Sequence, residues 1–170
     1  TAHSGGLEIK PGDWRGDPDK NPGGMLFQCG CHGLHELMFY FGPIREVTAM
    51  MRYDVHTTLT ADVAHCILRF QSGLIGTLSA YHVTPYRHSM SIYGTKMNLY
   101  VDSRAPSYGD PSYTAVQYRK RGIAEKHEPV TLAGPTDICG NLRSFHKAVR
   151  EGGEPYPSLR DGARAVMVIF

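Results

Sequence analysis

Residues 28–36, QCGCHGLHE, place two cysteines, two histidines and a carboxylate within nine positions. Side chains of these types could form a redox dithiol, a metal site or part of an acid/base site. On a helical wheel of about 100° per residue, Cys29 and Cys31 point to opposite sides of a polar stripe and are predicted to be packing residues. The stripe is predicted to face away from the core, and its members are Gln28, His32, His35 and Glu36.

The spacing of these residues favours some chemistries over others. A redox dithiol needs two residues between its cysteines at a helix N-terminus, whereas Cys29 and Cys31 are separated by one residue in mid-helix. A metal site at His32, His35 and Glu36 stays open as a less favoured alternative, because helical zinc motifs use histidines at i and i+4. The simplest alternative is a helix whose polar side meets solvent.

The irregular arm of residues 1–24 favours a functional site over that simplest alternative. Pro22-Gly23-Gly24 allows a close backbone approach immediately before the helix. Trp14, Arg15 and Asn21 can supply stacking, charge and amide hydrogen bonds to the same neighbourhood. We therefore predict substrate contacts from these three arm residues.

Composition limits the class of protein. A chain of 170 residues predicts a single folding unit, and a net charge of +2 with 20% charged residues shows no single-sign field that would attract nucleic acid or a membrane surface. No apolar run approaches the roughly 20 residues that span a bilayer, and no export signal is present. Four cysteines are too few for a disulfide scaffold, which indicates a cytoplasmic protein. The chain begins and ends inside expected elements, so we expect a fragment of a longer protein.

The order of predicted elements indicates an α+β fold. A helix over 25–41, ended by Gly42-Pro43, precedes a large, mostly antiparallel sheet over 44–136, and helices follow over 137–170. Short strands are predicted at 44–55, 62–70, 74–83, 87–94 and 97–102, with a further pair near 114–119 and 128–132. Helical spacing in residues 138–149 predicts the next helix, and Ser158, with Asp161 three residues later, predicts the start of the last one.

The strand near residues 63–70 carries apolar side chains on both faces. Val63, His65, Ile67 and Arg69 share one face, and Ala64, Cys66, Leu68 and Phe70 share the other. A sheet with one solvated side would show a charged face. We therefore expect helices on one face and an oligomer interface, in a homodimer or homotetramer, on the other.

Several motifs together resemble one known family. Asp13-Trp14-Arg15, Asn21-Pro22-Gly23-Gly24, Gln28-x-Gly30-x-His32 and Phe41-Gly42-Pro43 resemble the second domain of the glucose–fructose oxidoreductase and inositol dehydrogenase (Gfo/Idh/MocA) family. Ile92-x-Gly94-Thr95-Lys96 and the C-terminal Gly153-x-Pro155 segment are similar to its sheet hairpins and closing helix. The resemblance covers nearly the whole chain.

This resemblance implies the substrate-binding and oligomerisation half of a two-domain, NAD(P)-dependent oxidoreductase that interconverts a secondary alcohol and a ketone on a sugar, cyclic polyol or related small molecule. NAD or NADP would be bound mainly by an N-terminal Rossmann domain, because no G-x-G-x-x-G fingerprint occurs in these residues. The family's catalytic lysine is missing too, and Lys96, in a predicted hairpin turn, does not replace it. The isolated fragment is therefore expected to be inactive.

The family motif also implies individual roles. His32 matches the family's histidine, and imidazole suits proton transfer near neutral pH. Gln28 occupies the place of the family's acid, and an amide can bind a hydroxyl but cannot take its proton. His35 stands where the family often has aspartate and is predicted to contact substrate. Arg15 could bind a carboxylate or phosphate, or pair with a local aspartate. A non-catalytic binding or oligomerisation domain is the alternative.

Overall fold

The computed structural model describes residues 1–4, 8–56, 58–103, 114–122, 128–130 and 140–170. Cys139 and the end of the predicted strand at 128–132 lie outside these ranges. Three α-helices are described: α1 (Cys31–Phe41), α2 (Gly140–Glu151) and α3 (Leu159–Met167). The described strands are β1 (Ala2–Ser4), β2 (Ile44–Arg52), β3 (Val63–Phe70), β4 (Ile75–Tyr81), β5 (Arg87–Tyr93), β6 (Met97–Ser103), β7 (Thr114–Lys120) and β8 (Glu128–Pro129).

The strands form one sheet in the order β2-β3-β4-β1-β5-β6-β7-β8. All described pairings are antiparallel except that of β1 with β4, so the predicted α+β class is confirmed. The prediction of an irregular arm over residues 1–24 is wrong at Ala2–Ser4, which is a central strand, and Trp14–Gly16 forms a single 3-10 turn within the arm. A three-residue strand has no periodicity of its own, and its hydrogen-bond partners in β4 and β5 lie more than 70 residues away in sequence.

The core lies between one face of the sheet and the helices. Alternate residues of β3 are buried, as predicted, and pack with Leu78 and Ala80 of β4 against Leu34 and Leu37 of α1. Ala165 of α3 completes this cluster. The opposite sheet face stays exposed and carries Met50, Ile67 and Ile75, which are 79%, 57% and 64% exposed.

The first helical segment is not a uniform α-helix. Leu26–Gly30 forms a π-helix, and α1 begins only at Cys31. Because a π-helix bonds residue i to i+5, it turns less per residue than the 100° assumed for the wheel, and the predicted placement of Gln28 relative to His32 is therefore shifted. The predicted end of the helix is confirmed, with Gly42 at φ 82° donating its N–H to the Met38 carbonyl at 3.0 Å.

The C-terminal helices follow the predicted signals. The spacing in residues 138–149 corresponds to α2, whose first described residue is Gly140. Ser158 caps α3, and its hydroxyl and the Asp161 carboxylate form the reciprocal hydrogen bonds of a capping box. Within the described residues, no helix has the length and apolar character needed to cross a membrane.

Candidate active site on the first helix

The arm is fixed in place at the Arg15 carbonyl. That oxygen accepts hydrogen bonds from Asn21 Nδ2 at 2.7 Å and from Thr60 Oγ1 at 2.8 Å. Asn21 is fully buried, and its backbone joins Asp17 and Gly24 at 2.8 and 3.0 Å. The amide group predicted to contact substrate therefore donates within the arm. We infer that Asn21 acts by holding the arm's shape.

Trp14 and Arg15 form a stacked pair at the surface of the arm. The Arg15 guanidinium carbon lies 4.6 Å from the centre of the Trp14 ring, which is 46% exposed. Arg15 Nη1 also lies 3.3 Å from Asp13 Oδ1. The Arg15 backbone N–H, followed by its guanidinium charge, lowers the pKa of Asp13. Arg15 therefore pairs with a local aspartate, which is one of the two roles that the sequence left open for it. The Trp14 ring remains accessible.

The second glycine of the pair, Gly24, packs against protein backbone. Gly24 has φ 54°, and a Cβ there would lie 2.6 Å from both the backbone nitrogen and the oxygen of Ala61. The Met25 N–H donates to the Ala61 carbonyl at 3.1 Å. The close approach predicted from Pro22-Gly23-Gly24 is therefore an approach to the segment before β3, and it sets where the helix begins.

His32 and Gln28 differ in access. His32 is exposed on α1, whereas Gln28 is half-buried and its Oε1 is buried without a hydrogen-bond partner among the described residues. Cys29 and Cys31 are free, half-buried thiols, and burial raises the pKa of both. Thiols with raised pKa values are weak nucleophiles, as expected for packing residues. His32 is thus the accessible acid/base group in this part of the helix.

The predicted polar stripe is divided between two neighbouring elements. The His35 ring stacks on Tyr156 at 5.8 Å, with Nε2 3.4 Å from the Tyr156 hydroxyl, on the side of α3. Glu36 Oε2 instead lies 3.0 Å from His88 Nε2 on β5. The prediction of a single stripe facing away from the core is wrong, because tertiary neighbours approach the helix from both sides.

His88 is a site residue that sequence reasoning missed. It is 52 positions from Glu36, and no local spacing links the two residues. His35 contacts Tyr156 and Glu36 contacts His88, so these two side chains turn to different elements and do not converge as a ligand pair. Among the residues that the structure describes, no group of three His, Cys, Asp or Glu side chains is arranged to hold a metal ion.

A second cluster of buried polar groups lies at the end of β4. The Asp62 carboxylate accepts hydrogen bonds from the Val55 and His56 backbone N–H groups and pairs with His56 Nδ1 at 2.7 Å. His82 is buried, and its ring lies 6.3 Å from that of His56. Burial, followed by the His56 charge, lowers the pKa of His82 to about 4. A neutral, buried histidine was not predicted from the sequence.

Comparison with known proteins places this geometry in context. A family model described as the GFO/IDH/MocA C-terminal domain matches residues 1–100. Comparison with curated proteins finds no match. A solved protein from Desulfitobacterium hafniense, predicted to be an NADPH-dependent oxidoreductase, is 26% identical with a TM-score of 0.90 over 99% of this chain and 50% of its own.

Two further solved structures share the fold. Levoglucosan dehydrogenase, in complex with NADH, is 17% identical with a TM-score of 0.78, over 99% of this chain and 53% of its own. Aldose-aldose oxidoreductase from Caulobacter crescentus is 22% identical with a TM-score of 0.78, over 99% of this chain and 50% of its own. This chain therefore spans about half the length of these proteins. Since the family model matches more than half of its residues, the chain belongs to the GFO/IDH/MocA C-terminal domain family.

Proposed function

We propose that this chain is the substrate-binding half of an NAD(P)-dependent oxidoreductase that interconverts a secondary alcohol and a ketone on a sugar, cyclic polyol or related small molecule. The observation that carries the proposal is the exposed His32 on α1, which matches the family's histidine by the resemblance described above. The names of two neighbours with the same fold, levoglucosan dehydrogenase and aldose-aldose oxidoreductase, support a sugar-type substrate.

The coenzyme would be bound mainly by a separate nucleotide-binding domain. Dinucleotide sites of the Rossmann type need a parallel strand, a glycine-rich turn and a helix N-terminus for the pyrophosphate. The described residues form a mostly antiparallel sheet, and no described strand leads into a helix through such a turn. When bound, the nicotinamide would accept or donate hydride, and the residues of this chain would bind the substrate and handle its proton.

The roles in this chain follow from access and chemistry. His32 accepts the proton of the substrate hydroxyl during oxidation and returns it during reduction. The exposed Trp14 ring offers a flat surface for a sugar, and Arg15, stacked on that ring, is the nearby cation for an anionic substituent. Gln28 has its amide oxygen buried, which limits it to orienting neighbouring groups in this conformation.

The test is hydride transfer by the complete protein. It would be incubated with NAD⁺ or NADP⁺ and a panel of hexoses, myo-inositol and anhydrosugars, and formation of reduced nicotinamide would be followed by absorbance. Removal of a general acid/base typically lowers the rate about 10²- to 10⁴-fold, so His32→Ala is expected to lower kcat by that factor.

Two variants make this measurement specific. His35→Ala is expected to change kcat far less than His32→Ala, because His35 packs on Tyr156. His146→Ala is the matched control, since His146 lies exposed on α2. Unchanged activity in His32→Ala would contradict the proposed role of His32.

We also propose that the exposed sheet face joins two or four copies of the chain. Three exposed apolar side chains lie together on this face, on the neighbouring strands β2, β3 and β4. They are Met50, Ile67 and Ile75. Exposed apolar patches of this kind commonly mark association surfaces. The size of the assembly is tested below.

A further inference from the structure

The helical segment over residues 25–41 contains a single carboxylate, Glu36. The position that the family motif gives to an acid is held by Gln28, whose Oε1 is buried and has no described hydrogen-bond partner. An amide cannot accept a proton at neutral pH, and the oxygen of this one is buried in the structure. A proton acceptor that works with His32 must therefore come from another residue.

Glu36 lies one helical turn after His32. Both residues belong to α1, which is regular from Cys31 to Phe41. Side chains four residues apart on an α-helix are neighbours, with about 5–6 Å between their Cβ atoms. His32 is exposed and the Glu36 side chain is 26% exposed, so a substrate or a water molecule can reach both. The helix thus places an accessible carboxylate beside the proposed proton-transfer histidine.

The carboxylate is held by the sheet. Glu36 Oε2 lies 3.0 Å from His88 Nε2, and the His88 side chain is 22% exposed. His88 is fixed in turn by its strand, because β5 pairs with β1 on one side and with β6 on the other. A charged group held between two elements keeps its position at little further entropic cost when it acts. The surface Glu46–Arg69 pair at 3.5 Å, with both side chains more than half exposed, lacks this restraint.

We propose that Glu36, oriented by His88, is the carboxylate that exchanges protons with His32. It would take the part of the family's acid, whose position is held here by Gln28. This inference rests on the oxidoreductase reaction proposed above. During alcohol oxidation the hydroxyl O–H bond breaks and its proton passes to the His32 imidazole, while the C–H electron pair leaves as hydride to the oxidised nicotinamide. The His32 proton then passes to the Glu36 carboxylate, directly or through one water. Reduction of the ketone runs these transfers in reverse. Glu36 is a catalytic residue and His88 a positioning residue.

The kinetic test uses the complete protein with NAD⁺ or NADP⁺ and the best alcohol from the substrate panel. Glu36→Gln keeps the size of the side chain and an acceptor for His88 but removes the proton-accepting carboxylate. We expect kcat to fall at least about tenfold with little change in KM, and we expect the deficit to shrink as pH rises, because hydroxide then replaces the missing acceptor. Glu36→Asp should restore part of the loss. Glu151→Gln, which removes an exposed carboxylate from α2, should match the wild type.

A second measurement separates this proposal from the proposed function. The ring resonances of each histidine in the complete protein would be followed by NMR of ring-labelled histidine. Because the field of a charge acts on a neighbouring ring, Glu36→Gln should change the chemical shifts of the His32 ring. The Glu151→Gln protein should show no such change.

The outcomes are distinct. Ring resonances of His32 that do not respond to Glu36→Gln, or a kcat that falls equally at every pH, would overturn the role of Glu36, whatever the substrate. If Glu36 and His32 prove coupled but no tested compound supports hydride transfer, the proposed oxidoreductase function is contradicted and the coupling stands.

Discussion

His82 shows how one buried side chain can make stability depend on pH. Its ring is buried beside His56, and its two nitrogens have no hydrogen-bond partners among the described residues. The charges that act on it are those of His56 and Arg15, which disfavour its protonation, and of Asp62 and Asp13, which favour it. Burial exceeds all of these, so the folded protein keeps His82 neutral.

The resulting prediction concerns stability between pH 7 and pH 4. The pKa of His82 is about 4 when folded and 6.5 when unfolded, so within this window the unfolded chain binds a proton that the folded chain does not. The stabilisation that neutral His82 contributes to the free energy of unfolding is therefore complete above about pH 6.5 and is lost as pH falls towards 4. At about 1.36 kcal/mol per pKa unit, the loss is up to about 3 kcal/mol. Urea unfolding of the wild type and of His82→Phe across this range checks it, and parallel curves would contradict it.

Gly24 shows how one residue positions a whole element. It joins the arm to the first helical segment in a left-handed conformation, φ 54°, with its Cα against the Ala61 backbone. The neighbouring Met25 N–H bonds to the Ala61 carbonyl, so the start of the π-helical segment is registered on the segment before β3. The direction in which Gln28 and His32 project depends on this register.

Gly24→Ala should therefore destabilise the protein by about 3 kcal/mol, from about 1–2 kcal/mol of left-handed strain and the displacement of the Ala61 backbone. Gly12→Ala is the matched control, because Gly12 has φ 86° but open space around its Cα, and it should lose only about 1–2 kcal/mol. Denaturant unfolding measures both. Equal losses in the two variants would show that the Ala61 contact contributes nothing.

At the scale of the whole molecule, the described helices α1 and α3 pack on one face of the sheet. Ile67 lies near the middle of β3 on the exposed face, paired with Thr48 of the edge strand β2 and with Thr77 of β4. A lysine there would bring a charge into any interface on this face, where an unpaired charge is strongly destabilising.

Ile67→Lys is therefore expected to convert the proposed dimer or tetramer to a single chain, with stability of the monomer unchanged within about 0.5 kcal/mol. Light scattering coupled to size exclusion measures the mass. Leu159→Lys, at the 94% exposed first residue of α3, introduces the same charge on the helical side and should leave the mass unchanged. An unchanged mass in Ile67→Lys would exclude this face as the interface.

Features governed by short-range physics could be predicted from the sequence. The alternation of buried and exposed residues in β3 follows from a period of two, the end of α1 follows from Gly42-Pro43, and the capping box at Ser158 follows from residue types three positions apart. The family motif likewise marked His32 without reference to any distant contact. Each signal lies within a few residues, where bonding geometry alone restricts the outcome.

Other features were decided by the tertiary structure. The insertion of β1 between β4 and β5, the pairing of Glu36 with His88 and the stacking of His35 on Tyr156 join residues 52 or more positions apart. The π-helical turn that reorients Gln28 accompanies the packing of that segment over β4. By itself the sequence marked Gln28, His32, His35 and Glu36 as residues that could do chemistry and placed them in one helical segment. Only the folded chain decided which of them meet and that His88 joins them, because contacts between distant segments depend on the joint packing of sheet and helices.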